Sequence, residues 1–165
     1  MKTIYKITPK PDAPELILDP ELSNMLTGQP LSQISPDKPF SGKITDLKNW
    51  NEFYRIGKNG FTISEEAWNH CMEMYYVITE NAIELLSVRA GNTDLRIINP
   101  LQIIPRSTSS DQLCNMENIN SLFRLKSNSD SGIFCFEGLP VPENEFKHCY
   151  EKFGFHGLTF EKAWP

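Results

Sequence analysis

Four cysteines (Cys71, Cys114, Cys135 and Cys149) and three histidines (His70, His148 and His156) are the residues in this sequence best suited to nucleophilic or metal chemistry. A cysteine attacks as the thiolate, so it needs a neighbour that lowers its pKa, such as a histidine placed as base. Cys114 or Cys135 meeting His148 or His156 in a closed polar pocket is what a small hydrolase would require. Cys71 and Cys149 instead fall on the apolar faces of expected helices, where a thiol packs as a small hydrophobe. His70-Cys71 and His148-Cys149 each set two metal ligands side by side. Successive helical residues point about 100° apart, so neither pair chelates a metal alone. The sequence has no C-x-x-C or H-x-x-x-H spacing that would complete a zinc site.

Other reaction patterns are missing as well. There is no G-x-S-x-G elbow, no G-x-x-x-x-G-K-[ST] loop and no G-x-G-x-x-G fingerprint. The hydroxyls of Ser107-Thr108-Ser109-Ser110, followed by Asp111, have the composition of a turn. Glu65, Glu66, Glu143 and Glu145 fall in expected first turns of helices, where the positive end of the helix dipole accounts for them. Trp50, Trp68 and Trp164 read as core residues before they read as a ligand platform.

The elements that would position these groups follow from periodicity and turn residues. Residues 1–8 alternate as a strand, placed on an edge. Residues 15–18 form a short strand, Asp19-Pro20-Glu21-Leu22 starts a helix, and residues 28–40, with Pro30, Pro36 and Pro39, form a loop. Residues 43–55 show no clean period. Phe61-Thr62-Ile63 is a strand, and Ser64 caps a helix reaching about Thr79. Residues 83–90 and 95–98 make an antiparallel hairpin about Gly91-Asn92-Thr93-Asp94, extended past Pro100 by Leu101-Gln102-Ile103-Ile104. Residues 107–111 form a loop. Residues 122–126 and 133–136 are strands. A last helix buries Phe146, Cys149, Tyr150 and Phe153 and stops at Gly154, before a final strand over 158–164. Residues 60–88 and 132–164 share the order strand, acidic-capped helix, strand. The fold class is α+β: a mostly antiparallel sheet with two main helices packed on it.

Composition narrows the function. The chain has 165 residues, 39% of them hydrophobic, enough for one domain with a real core. Residues 1–40 read as a loop-rich N-terminal extension and residues 50–164 as the core. No apolar run approaches the ~20 residues that cross a bilayer, and the N-terminus lacks a secretory pattern, so a cytoplasmic location with reduced thiols is expected. The net charge of −5 disfavours nucleic-acid binding and favours a basic protein partner.

One resemblance is specific. Phe123-Arg124-Leu125-Lys126, Ile133-Phe134-Cys135-Phe136, Glu145-Phe146-Lys147, Gly157-Leu158-Thr159-Phe160 and Trp164 resemble the C-terminal signature of bacterial immunity proteins that accompany polymorphic toxins. The match is to the eleventh such family, first described as a domain of unknown function, or to a close sibling family. Phe61-Thr62-Ile63-Ser64-Glu65-Glu66, the strand over 83–88 and Ile97-Ile98-Asn99-Pro100-Leu101 follow the same order, so the resemblance spans about Trp50 to Trp164. It implies an antitoxin that binds and neutralises a cognate toxin, with no catalytic residue to carry over. The acidic charge fits a basic, nuclease-like toxin, although such a domain could equally occlude a toxin of another kind, and no cofactor, metal, nucleic-acid or membrane partner is expected. The contact residues expected from exposed acidic loops are Asp111, Asp130 and Glu137. The alternatives are the small Cys/His or carboxylate hydrolase and an interaction module with no toxin.

Overall fold

The computed structural model describes residues 2–18, 40–45, 52–57, 60–70, 83–105, 107–115, 122–126 and 132–164. The architecture is α+β, but it holds two mixed sheets in place of one, and the three α-helices among the described residues are short. The first sheet has five strands in the order β11 (Leu158–Trp164), β1 (Thr3–Pro9), β10 (Ile133–Glu137), β9 (Leu122–Lys126) and β8 (Ile103–Pro105). β1 lies inside this sheet, antiparallel to both β10 and β11, and not on an edge. Ile4 and Ile7 show why: they face opposite sides of the sheet and both are fully buried. The segment 1–40 therefore supplies an internal strand, not only an extension.

The second sheet has six strands, in the order β2 (Leu16–Leu18), β3 (Phe40–Ile44), β6 (Ile83–Ala90), β7 (Thr93–Pro100), β5 (Gly60–Ser64) and β4 (Phe53–Ile56). It curls until its ends meet. Glu15 bridges Arg55 in parallel, the Arg55 amide donates to the Pro14 carbonyl at 2.8 Å, and the Arg55 guanidinium pairs with the Glu15 carboxylate at 3.2 Å. The result is a nearly closed barrel, which leaves little unpaired backbone at its two edges. Leu16, Ile44, Tyr54, Leu86, Leu95 and Ile97 are among the residues packed in one of its hydrophobic clusters. The expected hairpin is present as β6–β7, on the two-residue turn Gly91-Asn92. Its expected extension is not: β8 leaves the barrel and pairs in parallel with β9 in the other sheet. Phe40, expected in a loop, begins β3.

The repeated order strand, helix, strand has a structural counterpart. β5 and β6 both pair antiparallel with β7, and α1 (Glu65–His70) follows β5. β10 and β11 both pair antiparallel with β1, and α3 (Phe146–Lys152) connects them. Each is a split unit with a strand from elsewhere inserted between its two parallel members. The remainder of the first expected helix, Cys71 included, lies outside the described residues, as do the expected helix start at 19–22, Trp50 and Asp130.

The two units meet across the largest core, which contains Phe53, Phe61, Trp68, Ile133, Phe146 and Tyr150. Phe53 sits 5.9 Å from Phe61, Phe146 and Phe155 and 5.5 Å from Tyr150, centroid to centroid. The turn after α3 is held against it. Gly157 has φ +109°, and a Cβ there would lie 2.6 Å from the Phe53 carbonyl oxygen, so only glycine fits.

The opposite face of the five-stranded sheet is covered by α2 (Ser110–Asn115), whose Leu113 packs with Phe123, Phe134 and Phe136. Residues 107–111 are expected as a loop, and the last two of them open this helix. Its start is a capping box: the Ser109 hydroxyl accepts from the Gln112 amide at 3.2 Å, and the Gln112 side chain accepts from the Ser109 amide at 2.9 Å. Ser109→Ala should lower stability by about 1 kcal/mol, read as a shift in urea midpoint with unchanged slope. An unchanged midpoint would mean that packing of Leu113 alone forms the helix.

Candidate interaction site

Glu137 is the last residue of β10 and lies at the centre of a polar cluster. In the β1–β10 register Thr3 faces Glu137 and Tyr5 faces Cys135, so Tyr5 and Glu137 are diagonal neighbours on one face of the sheet. The Tyr5 hydroxyl donates to Glu137 Oε2 at 2.8 Å. Helix α3 crosses the same face and brings Lys147, whose ammonium donates to Glu137 Oε1 at 2.9 Å. One turn later Glu151 takes a second bond from Lys147 at 2.8 Å. Lys147 also stands 4.9 Å over the Tyr5 ring.

The charges of the cluster follow from these bonds. Hydrogen bonds from Lys147, then from Tyr5, hold the Glu137 carboxyl below its ordinary pKa. Burial works against the Lys147 charge, but the bonds to Glu151 and Glu137 outweigh it and raise its pKa. Donating its hydroxyl to Glu137 raises the Tyr5 phenol as well, with burial adding to it. Burial pushes the nearby Cys135 thiol far up. Near neutral pH the cluster thus presents a protonated lysine, a neutral thiol and ionised Glu137. It has no activated nucleophile, and Glu137, with 40% of its side chain exposed, is a carboxylate held in one orientation at the surface.

The sign of the pH dependence is determined. Glu137 has a lowered folded pKa, so it contributes stability above the unfolded carboxylate value of about 4.3, and this is lost as pH falls through the folded value. Lys147 has a raised folded pKa, so its contribution is full below about 10.4 and is lost as pH rises through the folded value. Glu137→Gln should cost about 1 kcal/mol or less at pH 7, given solvent screening of a partly exposed pair. Urea melts of both proteins should converge below pH 4; a pH-independent difference would remove the ion pair from the explanation.

Of the three expected contact residues, Asp130 lies outside the described residues, and Asp111 and Glu137 do not come together. Asp111 is exposed in the first turn of α2, on the far face of the sheet from Glu137. Glu137 is not in a loop; it ends a strand and is bonded on both oxygens, because β10 runs one residue further than alternation suggested. Glu143 lies in a 3-10 turn at Pro142–Asn144, and Glu145 precedes α3. The buried Glu145 carboxylate accepts from the Gly138 and Leu139 amides, both at 2.7 Å, instead of capping the helix. Glu65 does open α1, and its carboxylate holds the Arg96 guanidinium through two bonds of 2.7 and 2.8 Å.

Among the described residues, Cys114 and Cys135 lie on opposite faces of the five-stranded sheet. Cys135 is buried in the core between sheet and barrel, whereas Cys114 packs on the opposite face of the sheet and donates to the Lys2 carbonyl. His156 is exposed, with its amide bonded to Glu52, and His70 Nδ1 bonds the Glu66 carbonyl. Among the described residues neither Cys114 nor Cys135 has an imidazole as hydrogen-bond partner, and no group of three or more His, Cys, Asp or Glu side chains is placed to hold a metal ion. No helix among them is long and apolar enough to cross a membrane.

Sequence reasoning missed the polar link between the sheets. Arg124 on β9 is 3% exposed; its guanidinium donates to the Pro100 carbonyl and to Asn99 Oδ1, both at 3.2 Å. Asn99, fully buried on β7, donates in turn to Glu84 on β6 at 3.0 Å. Burial lowers the Arg124 pKa to about 10. A lone arginine among apolar residues in a strand was the available signal. No protein-family model and no curated protein matches the chain.

Proposed function

We propose that this protein is an immunity protein that neutralises a cognate toxin by direct contact, and that it has no catalytic activity of its own. The observation that carries the reading is the oriented carboxylate of Glu137 within the segment that resembles the immunity signature. The segment that resembles the immunity signature forms β9, β10, α3 and β11 and carries the oriented carboxylate of Glu137. A carboxylate already held by Tyr5 and Lys147 loses little side-chain freedom when it meets a cation on a partner. The net charge of −5 adds long-range attraction toward a basic, nuclease-like toxin. Asp111 and Asp130 are further contact candidates on the same electrostatic argument. The location proposed is the cytoplasm of the producing cell.

The test is association with the toxin encoded beside the gene, followed by stopped flow across a range of salt. Wild-type association should slow as salt rises. Glu137→Lys should slow it about tenfold at low salt, with the two proteins converging at high salt. Equal rates at all salts would remove Glu137 from the interface. An enzyme with a Cys/His or carboxylate centre would instead lose activity on substitution of Cys114 or Cys135 while leaving toxin binding absent.

A further inference from the structure

We propose that the loop over residues 138–144 is a pre-shaped binding element whose tip, Val141, enters an apolar cleft rimmed by lysine or arginine on a partner protein. The inference deepens the binding reading above, on which it rests, by naming the element that makes contact and the surface it fits. The loop joins β10 to α3. Its apolar tip faces outward: Pro140, Val141 and Pro142 are all exposed, Val141 at 47%. Other large apolar side chains are exposed too, but Ile17 and Ile103 lie on strands and Phe153 stacks on Phe155 at 5.6 Å. Three consecutive exposed apolar residues at a loop tip form a projection, and a projection fits a concave surface.

The shape is fixed from both sides. Gly138 turns the chain with φ +89°, and the Gly138 and Leu139 amides donate to Glu145 Oε1, both at 2.7 Å. The Leu139 side chain packs against the cluster that holds Phe123, Phe134 and Phe136. Toward α3, the Asn144 amide donates to the Val141 carbonyl at 3.0 Å and the Glu145 amide to the Pro142 carbonyl at 2.9 Å. The Cys149 thiol donates to the Glu143 carbonyl at 3.6 Å. At the tip both proline rings fix φ, and Pro142 confines Val141 to the extended region, where it sits at φ −120° and ψ 99°. Glu145 is 4% exposed. Taking a carboxylate out of water costs free energy that its bonds to two amides must offset, and what it holds is a loop outside the core. Ordering an exposed tip adds little to the fold. It helps a partner, because the entropy of ordering is lost before contact.

Charge selects the partner. Glu137 and Glu143 bracket the tip, and residues 137–144 carry no cation. Lys147 is held between Glu137 and Glu151, and Lys2 stands over Phe136 on the other face of the sheet. A basic rim therefore meets two carboxylates as the tip enters the cleft. A second copy brings a net charge of −5 toward the same carboxylates, which opposes self-association.

The experiment uses the full chain and the toxin encoded beside the gene. In the free chain, NMR order parameters for the amides of Gly138, Leu139, Val141, Glu143 and Asn144 should be about 0.8 or higher. Values below about 0.6 would overturn the pre-shaped loop. Val141→Ala should weaken toxin binding about tenfold, chiefly through faster dissociation. Val141→Asp, which sets a carboxylate against the apolar cleft, should weaken it about a hundredfold. Because Val141 is exposed, both variants should keep the wild-type circular dichroism and urea midpoint. Ile17→Ala, which removes exposed apolar surface from β2, should leave binding unchanged. Glu143→Lys should slow association about fivefold at low salt and converge with wild type at high salt. Toxin that binds wild type and both Val141 variants equally would overturn the loop and leave the binding reading. A wild-type dimer in sedimentation that Val141→Asp dissociates would also overturn the proposal, by making a second copy the occupant. Toxin that does not bind wild type would overturn the binding reading, and the loop's assigned partner with it.

Discussion

Phe53→Ala should destabilise the protein by about 3–5 kcal/mol, a large part of the 5–15 kcal/mol typical of a whole domain. Phe53 is 1% exposed and contacts aromatic rings from β5, α3 and the turn after α3 at once. It is where the barrel's edge strand β4 meets the helix of the other unit. Truncation leaves a cavity that these rings cannot fill, because Phe61 and Phe146 are fixed by their own strand and helix. The turn that closes over it cannot move inward freely either, since Gly157 already lies against the Phe53 backbone and its carbonyl accepts from the Lys10 amide at 2.8 Å. Guanidinium denaturation followed by circular dichroism would show the midpoint fall. Phe53→Leu should recover about half of the loss. A change below 1 kcal/mol would mean that the two units do not share this core.

Arg124→Ala should cost about 3–5 kcal/mol despite removing a buried charge. The guanidinium satisfies the Pro100 carbonyl and Asn99 Oδ1, and Asn99 in turn bonds Glu84. Without it, the Pro100 carbonyl and Asn99 Oδ1 each lose a buried donor, at about 1–3 kcal/mol each. Arg124→Lys should be nearly as damaging, because an ammonium cannot reproduce two divergent N–H bonds from a planar group. A double-mutant cycle with Asn99→Ala should give a coupling of about 1 kcal/mol or more. Additive losses would show that Arg124 acts through packing of its stem alone. Amide exchange offers a second reading: β9 and β7 should lose protection together in the variant.

Both residues illustrate what sequence could and could not show. Local signals were legible. The β6–β7 hairpin follows from two alternating runs about Gly91-Asn92, and the buried face of α3 follows from the spacing of Phe146, Cys149 and Tyr150. The Lys147–Glu151 pair is an i, i+4 contact that the helix alone implies. The capping box at Ser109 was also legible, but its serine-rich composition was read as a turn. Non-local pairing was not legible. Nothing near Thr3 states that β1 will sit between β10 and β11, nor that Glu15 will meet Arg55 to close a barrel. The mixed sheets follow from such distant pairings, which depend on whole-chain packing and not on any window of residues. The site suffered likewise: Glu137 was identified by type, while its partners Tyr5 and Lys147 come from an element at the far end of the chain and from a helix.

The resemblance over residues 122–164 and the oriented carboxylate at its surface lead to one central claim, that the protein works by stoichiometric binding to a toxin. The most direct test is a titration of the activity of the toxin encoded beside the gene with the purified full chain. The account predicts a linear fall in toxin activity that ends at one equivalent, with a 1:1 complex recovered by size-exclusion chromatography. Full toxin activity at a large excess of the chain, with no complex, would contradict it.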